Sequence, residues 1–322
     1  MTPGRWRILF WVRWGLFDRV IAVDWSARSA PSPVKPVKDA IYICNRTSDS
    51  SRQDHIEGHP TYHRTRAEAI SVVQSALDAA AVTGERVFLG FDFGFGYPAG
   101  FAERLTGRAK ALAVWDWLEG QITDGPDNAN NRFAVAAGMN AQFDGIGPFW
   151  GCPATVDLPG LPAKGSLRNG HGLADRRAVE AVVKTAQSGF KLFTTGSVGS
   201  QSLLGLPHLA RLRRRYGTAM TVWPLQSGWG VPEAQIVLAE IYPSLTKPSR
   251  FMPLQQRYPN ELYHIPDARQ VRDVCDAVMM LKALPDDRLK TVFDPVQGLP
   301  DADRIAVEEG WIFGATIGKT TP

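Results

Sequence analysis

Short apolar runs that end in a single acidic residue recur along this chain. Uninterrupted apolar runs of four or five residues predict strands that are buried on both faces. Each acid is then expected at or near the carboxyl end of its strand, where open α/β sheets place their ligand sites. The three runs and their acids are residues 20–23 with Asp24, residues 87–91 with Asp92, and residues 236–239 with Glu240.

The segments between the first two runs predict how their strands are arranged. Residues 40–44 form a second strand candidate, and a weak third strand is expected near residues 54–57. A capping box at residues 65–68 begins an amphipathic helix that Gly84 ends. This order predicts a three-stranded antiparallel meander and a crossover to a strand parallel to the first. Asp24 and Asp92 should therefore emerge at the same edge of the sheet, on adjacent strands.

A late helix is expected to bring further acids to the sheet. Residues 267–284 show two apolar stripes at helical spacing, and Asp273 and Asp276 begin the second stripe. The predicted fold class is therefore α/β, with a mixed sheet flanked by helices.

The chain divides by pattern into four segments. Residues 19–99 and 236–322 are predicted to form the two parts of the core, and residues 100–235 a large, mostly helical, basic and loop-rich insertion. Within the insertion, residues 124–132 are expected to be an exposed loop. Residues 1–18 are interpreted as a poorly ordered or mis-assigned N-terminal extension, with a surface-lying amphipathic helix as the alternative.

Composition changes this picture in two respects. The formal net charge is +4, yet residues 160–220 contain ten Lys or Arg and only two acids. A basic segment in an otherwise acidic chain is what an anionic substrate beside a cation site requires, although a solvated helical face is an alternative. The three cysteines lie far apart with no CxxC pair, which predicts a reducing, cytoplasmic location. No membrane association is predicted, because the apolar-rich residues 6–17 are too few and too charged to span a bilayer.

The acids together predict a metal-dependent reaction. Cleavage of a phosphodiester by two divalent ions needs several carboxylates that converge on the ions, with open positions for water and substrate. Carboxylate ligands favour Mg²⁺ or Mn²⁺ over zinc. The predicted catalytic and metal-binding residues are Asp24, Asp92, Glu240 and Asp276, with Asp273 as a less certain metal ligand. A metal-activated water is expected to attack phosphorus in line with the leaving oxygen.

The chain resembles the ribonuclease-H-like superfamily, and more narrowly an uncharacterised family of predicted RNase H-like nucleases. Five stretches carry the resemblance: residues 21–24, 89–92, 240–243 and 273–277, and the late 309–314, Glu-Gly-Trp-Ile-Phe-Gly. Together they contain 23 of the 322 residues. The resemblance implies an RNase H-like sheet and assigns the four acids as metal ligands. Trp25 after the first acid and the 100–235 insertion depart from a minimal RNase H.

Other interpretations of the same residues remain open. A phosphotransferase or nucleotide-binding protein of the actin-like and sugar-kinase type is one alternative, because Gly94 follows Asp92 at the spacing that brings backbone amides to phosphate. A non-catalytic binding module that keeps the acids for a structural ion is another. The expected partner is a nucleic acid or a phosphorylated small molecule. The candidate substrate-binding residues are Ser26, Arg28, Ser197, Arg211 and Arg214.

Overall fold

A six-stranded mixed sheet forms the centre of the protein. The computed structural model describes residues 16–48, 58–194, 196–245 and 261–317. The strands lie in the order β3-β2-β1-β4-β6-β5. Their bounds are Arg19–Asp24 (β1), Ile41–Thr47 (β2), Thr61–His63 (β3), Val87–Phe91 (β4), Met220–Trp223 (β5) and Ile236–Glu240 (β6).

The pairing of the first four strands confirms the predicted meander and crossover. β1 pairs antiparallel with β2, and β2 pairs antiparallel with β3. β4 returns parallel to β1, with Val23 opposite Phe91. The third strand lies at Thr61–His63, whereas residues 54–57, where it was expected, fall outside the described residues. Asp24 ends β1 and Asp92 follows β4 directly, so the two acids emerge side by side.

Helices cover both faces of the sheet. No helix among the described residues is long and apolar enough to cross a lipid bilayer. The helices are Arg66–Thr83 (α1), Phe101–Thr106 (α2), Ala111–Gln121 (α3), Arg132–Asn140 (α4), Ala178–Val182 (α5), Gly199–Tyr216 (α6), Pro266–Met280 (α7), Asp286–Phe293 (α8) and Ala302–Arg304 (α9), the last continuing into a π-helical turn at Ile305–Glu309.

The double covering explains why the strands are apolar without alternation. Ile21 and Val23 point to one face, where α1, α3 and α6 supply the rest of a large core. Val20 and Ala22 point to the opposite face and pack with α7 and the segment after α9. Because successive side chains of a strand alternate between faces, both sets must be apolar when both faces are covered.

The start of α1 follows the predicted capping box in part. The Thr65 hydroxyl accepts a hydrogen bond from the Glu68 amide (3.2 Å), as the motif requires. The Glu68 carboxylate accepts instead from the Arg64 amide (3.0 Å), one residue before the expected partner. Gly84 ends the helix in a left-handed conformation, with φ of 71°, which glycine adopts without strain.

The segment between residues 100 and 235 contacts the core at the edge of the sheet and at helix α1. Its strand β5 pairs parallel with β6 and forms the edge of the sheet. The loop at residues 124–132 was expected to be exposed, and this expectation is wrong for several of its residues. Arg66, fully buried, donates to both carboxylate oxygens of Asp124 and to the carbonyl of Asn128. A buried guanidinium needs these acceptors, so it draws the polar loop inward.

Gly96 marks a close approach between the loop after β4 and the π-helical turn. A Cβ atom at Gly96 would lie 2.5 Å from the carbonyl oxygen of Glu309 and 2.7 Å from that of Glu308. Because the backbone would have to move, we expect Gly96→Ala to lower the free energy of unfolding by about 1–3 kcal/mol. Equilibrium denaturant unfolding measures this change.

Gly120 supplies the matched control for this substitution. It lies within α3, and a Cβ atom there would meet no atom within 4 Å. Since alanine favours helix more than glycine does, Gly120→Ala should raise the free energy of unfolding by up to about 1 kcal/mol. Two variants that change stability in the same direction and to the same extent would contradict the close approach at Gly96.

Candidate functional site

A cavity of about 920 Å³ opens at the carboxyl ends of β1, β4 and β6. Its position is the one that open α/β sheets use for ligands. The predicted site residues separate into two groups at this cavity. Those that line it are Asp24, Asp92, Glu240, Ser26, Arg28 and Ser197, and those that do not are Asp273, Asp276, Arg211 and Arg214.

Asp24 and Asp92 form the acidic centre of the cavity. Asp24 is 8% exposed, and Asp92 is partly buried beside it. The Asp92 Oδ1 atom accepts a hydrogen bond from the Trp25 amide at 2.7 Å, and the Asp92 amide donates to the Val23 carbonyl at 3.2 Å. These bonds join the end of β4 to the end of β1. Among the described residues, no Lys, Arg or His nitrogen lies within 4 Å of either carboxylate.

Burial and nearby carboxylates raise the pKa values of both Asp24 and Asp92. Burial, followed by the charges of Asp92, Asp267 and Asp39, raises the pKa of Asp24 well above its ordinary value. Burial raises the pKa of Asp92 to about 7, and the Trp25 amide opposes this rise in part. Two carboxylates without a compensating cation cannot both ionise cheaply in such a setting. Binding of a cation would stabilise the ionised forms of both carboxylates and release their protons.

Asp267 is the third acid of this cluster, and sequence reasoning missed its role. It lies in the first turn of α7 and lines the cavity, where its charge raises the pKa of Asp24 and of Asp92. Its Oδ2 atom accepts a hydrogen bond from the Asp39 amide at 2.6 Å. In the sequence, Asp267 reads as an ordinary acid at a helix N-terminus. Only the direction in which α7 crosses the sheet shows that it faces Asp24.

Asp276 and Asp273 are not at the cavity, which corrects their assignment as metal ligands. Asp276 forms ion pairs with Arg46 on β2 and with Arg272, one turn away on α7. Arg46 is opposite Val20, at the far end of β1 from Asp24. Asp276 is nine positions after Asp267, which corresponds to a rise of about 13 Å along a helix and explains the separation. Asp273 is buried, and burial raises its pKa to about 6.

Glu240 lines the cavity but is already neutralised. Its two carboxylate oxygens accept hydrogen bonds from the Arg177 guanidinium at 2.6 and 2.8 Å, and Oε2 also accepts from the Phe95 amide at 2.9 Å. A bidentate, fully buried ion pair of this kind is strong and geometrically specific. Glu240 therefore holds the wall of the cavity together through Arg177, and its carboxylate oxygens are engaged by that arginine and the Phe95 amide.

Arg177 is the centre of a buried network that sequence reasoning did not find. Its Nε atom donates to Glu180 Oε1 at 2.8 Å, and Nη1 donates to the Glu309 carbonyl at 3.0 Å. Burial alone would lower the pKa of Arg177, but Glu240 and Glu180 raise it above the usual range. The Glu309 carboxylate in turn accepts from the Ala178 amide at 2.6 Å. The network joins β6, α5 and the late 309–314 stretch.

Arg211 and Arg214 lie on α6 away from the cavity, so their assignment as substrate-binding residues is corrected. Both are ion-paired with Glu119 on α3, at 3.3 Å for Arg211. Their neighbours Arg213 and Arg215 pair with Asp116 and Asp78, both at 2.8 Å. This basic stretch therefore binds α6 to the acidic faces of α3 and α1.

The polar rim of the cavity includes three of the predicted substrate-binding residues. The Ser26 hydroxyl donates to the Asp39 carbonyl at 2.9 Å, and Arg28 Nε donates to the same oxygen at 3.1 Å. Ser197 lines the cavity from the loop before α6. Arg28 and Lys38 are exposed at the rim, and neither has a carboxylate within 4 Å among the described residues.

The donor set suits a hard divalent cation in part. Within the described ranges, no group of three or more His, Cys, Asp or Glu side chains is arranged to hold a metal ion. Asp24 and Asp92 nevertheless supply carboxylate oxygens that lack a cation. Mg²⁺ is commonly bound through one or two carboxylates together with substrate phosphates and water, so two carboxylates are an adequate protein contribution.

Neither a scan against protein-family models nor searches of the curated proteins and of the solved structures returned a match for this chain. The functional argument therefore depends on the residues and their geometry.

The raised pKa values of Asp24 and Asp92 predict a pH dependence of stability in the metal-free protein. The folded state holds their protons to higher pH than the unfolded chain does. Their contribution to the free energy of unfolding is thus fully present below the ordinary carboxylate pKa, near 4. It is lost as the pH rises through about 7, the pKa of Asp92. Chemical unfolding in EDTA across this range measures the loss.

The double variant Asp24→Asn/Asp92→Asn isolates this contribution, because it removes both titrations and keeps the side-chain volumes. We expect the wild type to lose more stability than the double variant between about pH 5 and pH 8. Parallel pH profiles for the two proteins would contradict the raised pKa values.

Proposed function

We propose that this protein is a divalent-metal-dependent phosphodiesterase that hydrolyses a nucleic acid or a phosphorylated substrate. The observation that carries the proposal is the pair Asp24 and Asp92, side by side at the ends of adjacent parallel strands. Asp24 is buried and Asp92 is partly buried, and among the described residues neither has a basic side chain within 4 Å. Both face a cavity that Arg28 and Lys38 also line. Acids that favour a cation and side chains that favour an anion then lie in the same cavity.

Asp24 and Asp92 would hold Mg²⁺ or Mn²⁺. When bound, such a cation supplies Lewis-acid polarisation of the phosphate and a water of lowered pKa. Asp267 adds negative charge beside the pair and so favours the cation further. The rim cations Arg28 and Lys38 would orient the phosphate. Glu240, saturated by Arg177 and the Phe95 amide, keeps the β6 wall in place without binding the metal.

The strand arrangement supports the ribonuclease-H-like interpretation as the fold context of this proposal. An antiparallel β1-β2-β3 meander with β4 parallel to β1 is the arrangement that the resemblance implies. A fold by itself hosts many functions, so the carboxylate pair carries the argument and the fold only supports it.

A phosphotransferase is the second candidate, and Gly94 is the observation that favours it. Gly94 lies two residues after Asp92 and lines the cavity, where a glycine allows phosphate to approach the backbone. After the first strand, Ser26 occupies the corresponding position, and the amide of the preceding Trp25 donates to Asp92. ATP-dependent transfer to an acceptor, with no hydrolysis of a phosphodiester, would favour this candidate over the first.

Calorimetric titration with Mn²⁺ tests the proposed cation site. We expect the wild type to bind Mn²⁺, and Asp24→Asn or Asp92→Asn to weaken binding by about tenfold or more, since each removes one of two charged ligands. Asp267→Asn should weaken binding by a smaller factor, because its carboxylate acts through its charge. The titrations are repeated with a nucleotide present, because substrate phosphate can complete the metal coordination.

Asp276→Asn is the matched control, because Asp276 lies on α7 like Asp267 but outside the cavity. It should leave Mn²⁺ affinity unchanged even if it lowers stability through loss of the pair with Arg46. Equal Mn²⁺ affinity in the wild type and Asp24→Asn, with and without nucleotide, would refute the proposed site. Metal binding without hydrolysis of any phosphodiester would support the non-catalytic binding module instead.

A further inference from the structure

Arg132 is a buried cation on the cavity wall that lacks a carboxylate partner. It is the first residue of α4 and is 7% exposed. Its guanidinium donates to three neutral oxygens, at 3.0 Å to Ser200 Oγ, 2.8 Å to Ser29 Oγ and 2.7 Å to Asn130 Oδ1. Among the described residues, no carboxylate oxygen lies within 4 Å of it.

The four other buried arginines among the described residues show how unusual this arrangement is. Each has a carboxylate partner: Arg19 pairs with Glu85, Arg66 with Asp124, Arg177 with Glu240 and Glu180, and Arg272 with Asp276. A buried charge is normally compensated by an opposite charge, because removing it from water is costly. Burial and the nearby charge of Arg66 lower the pKa of Arg132 to about 10. An anion that enters the cavity would supply the missing compensation.

The geometry of the site favours phosphate as that anion. A guanidinium stays charged when buried and donates several hydrogen bonds from one planar group. Its Nη2 atom makes no hydrogen bond among the described residues, so Nη2 can donate to a phosphate oxygen. Ser29 and Ser200 already hold Nη1 and Nε, so little side-chain entropy is lost on binding. The Phe133 ring lies against the guanidinium, with 4.3 Å from Cζ to the ring centroid, which further restricts its motion.

The size and surroundings of the cavity favour a compact substrate. A volume of about 920 Å³ lies within the range of small-molecule pockets, about 300–1,000 Å³. The basic stretch of α6 is engaged by Glu119, Asp116 and Asp78, so polymer phosphates would have to compete with these acids. A long nucleic acid gains its affinity from many such phosphate contacts.

We propose that Arg132 binds a second, non-reacting phosphate group, and that the substrate is a compact phosphate ester carrying a phosphate besides the one that is cleaved. This inference rests on the proposed function, since it takes the acids Asp24 and Asp92 as the reacting end of the cavity. Arg132 then determines specificity by selecting substrates whose second phosphate reaches it.

Binding of inorganic phosphate to the full chain in EDTA tests the role of Arg132 without metal or turnover. Isothermal calorimetry should show saturable binding to the wild type at millimolar phosphate. Because a lost charged hydrogen-bonding group weakens binding by about tenfold or more, Arg132→Gln should bind phosphate at least that much more weakly. Arg132→Lys keeps the positive charge but loses the guanidinium geometry. Its phosphate affinity should therefore lie between those of the wild type and Arg132→Gln.

Arg214→Gln is the control, since it removes an exposed cation outside the cavity and should leave phosphate affinity unchanged. If Arg132→Gln does not fold, Arg132→Lys and Ser29→Ala carry the test, and both should weaken phosphate binding. Unchanged phosphate affinity in the folded Arg132 variants, or no binding to the wild type, would overturn the inference.

Two further measurements separate this inference from its premise. Mn²⁺ affinity should be the same in Arg132→Gln and the wild type, so loss of phosphate binding alone leaves the cation site intact. Conversely, phosphate binding that needs Arg132, together with no Mn²⁺ binding, would refute the proposed function and keep the anion site. A single-stranded oligonucleotide that binds the wild type and Arg132→Gln equally, with affinity falling steeply in salt, would overturn the compact-substrate inference.

Discussion

Compensation of buried charge is the constraint on which this structure depends. The carboxyl end of the sheet gathers ionisable side chains from distant parts of the chain into a region largely removed from water. Burial of an unpaired charge is costly, and the protein meets this cost for two arginines by pairing them with acids. Arg66 is paired with Asp124, and Arg177 with Glu240 and Glu180. These pairs are part of the architecture.

Among the described residues, Asp24, Asp92 and Arg132 face the cavity without an ion-pair partner within 4 Å. Burial and neighbouring acids raise the pKa values of Asp24 and Asp92, while Arg132 donates only to neutral oxygens. Groups held in such a state are candidates for ligand binding, because a ligand of opposite charge relieves their desolvation. Asp24 and Asp92 favour a cation and Arg132 favours an anion in the same cavity, and this combination is the basis for proposing a phosphate ester bound with a divalent metal.

The paired charges also determine how the cavity walls are held. Arg177 connects β6 to α5 and to the backbone of Glu309, and the Glu309 carboxylate reaches the amides of Ala99 and Ala178. Arg66 connects the loop after β1 to the 124–132 loop. Both networks close long loops against the sheet, so the cavity is lined by segments that hydrogen bonds hold in place before any ligand arrives.

Local sequence patterns predicted the central strands, the positions of Asp24 and Asp92, and the main features of α1 and α7. Continuous apolar runs determined which segments are central strands, because a strand covered on both faces needs apolar residues at every position. The placement of Asp24 and Asp92 on adjacent parallel strands followed from the order of elements alone. The caps of α1 and the buried stripe of α7 were likewise readable, since capping and helical periodicity are local properties.

Tertiary structure alone decided which charges are paired. Glu240 reads in sequence like Asp24 and Asp92, yet Arg177, 63 residues earlier in the chain, neutralises it. The basic run of α6 reads as an anion-binding surface, but helices α3 and α1 present acids to it. The position of α7 brings Asp267 to the cavity and takes Asp276 to the opposite end of β1. The sequence determines the hydrophobic periodicity of each element and the sign of each charge. The partner of each charge depends on packing between elements that are distant in the chain.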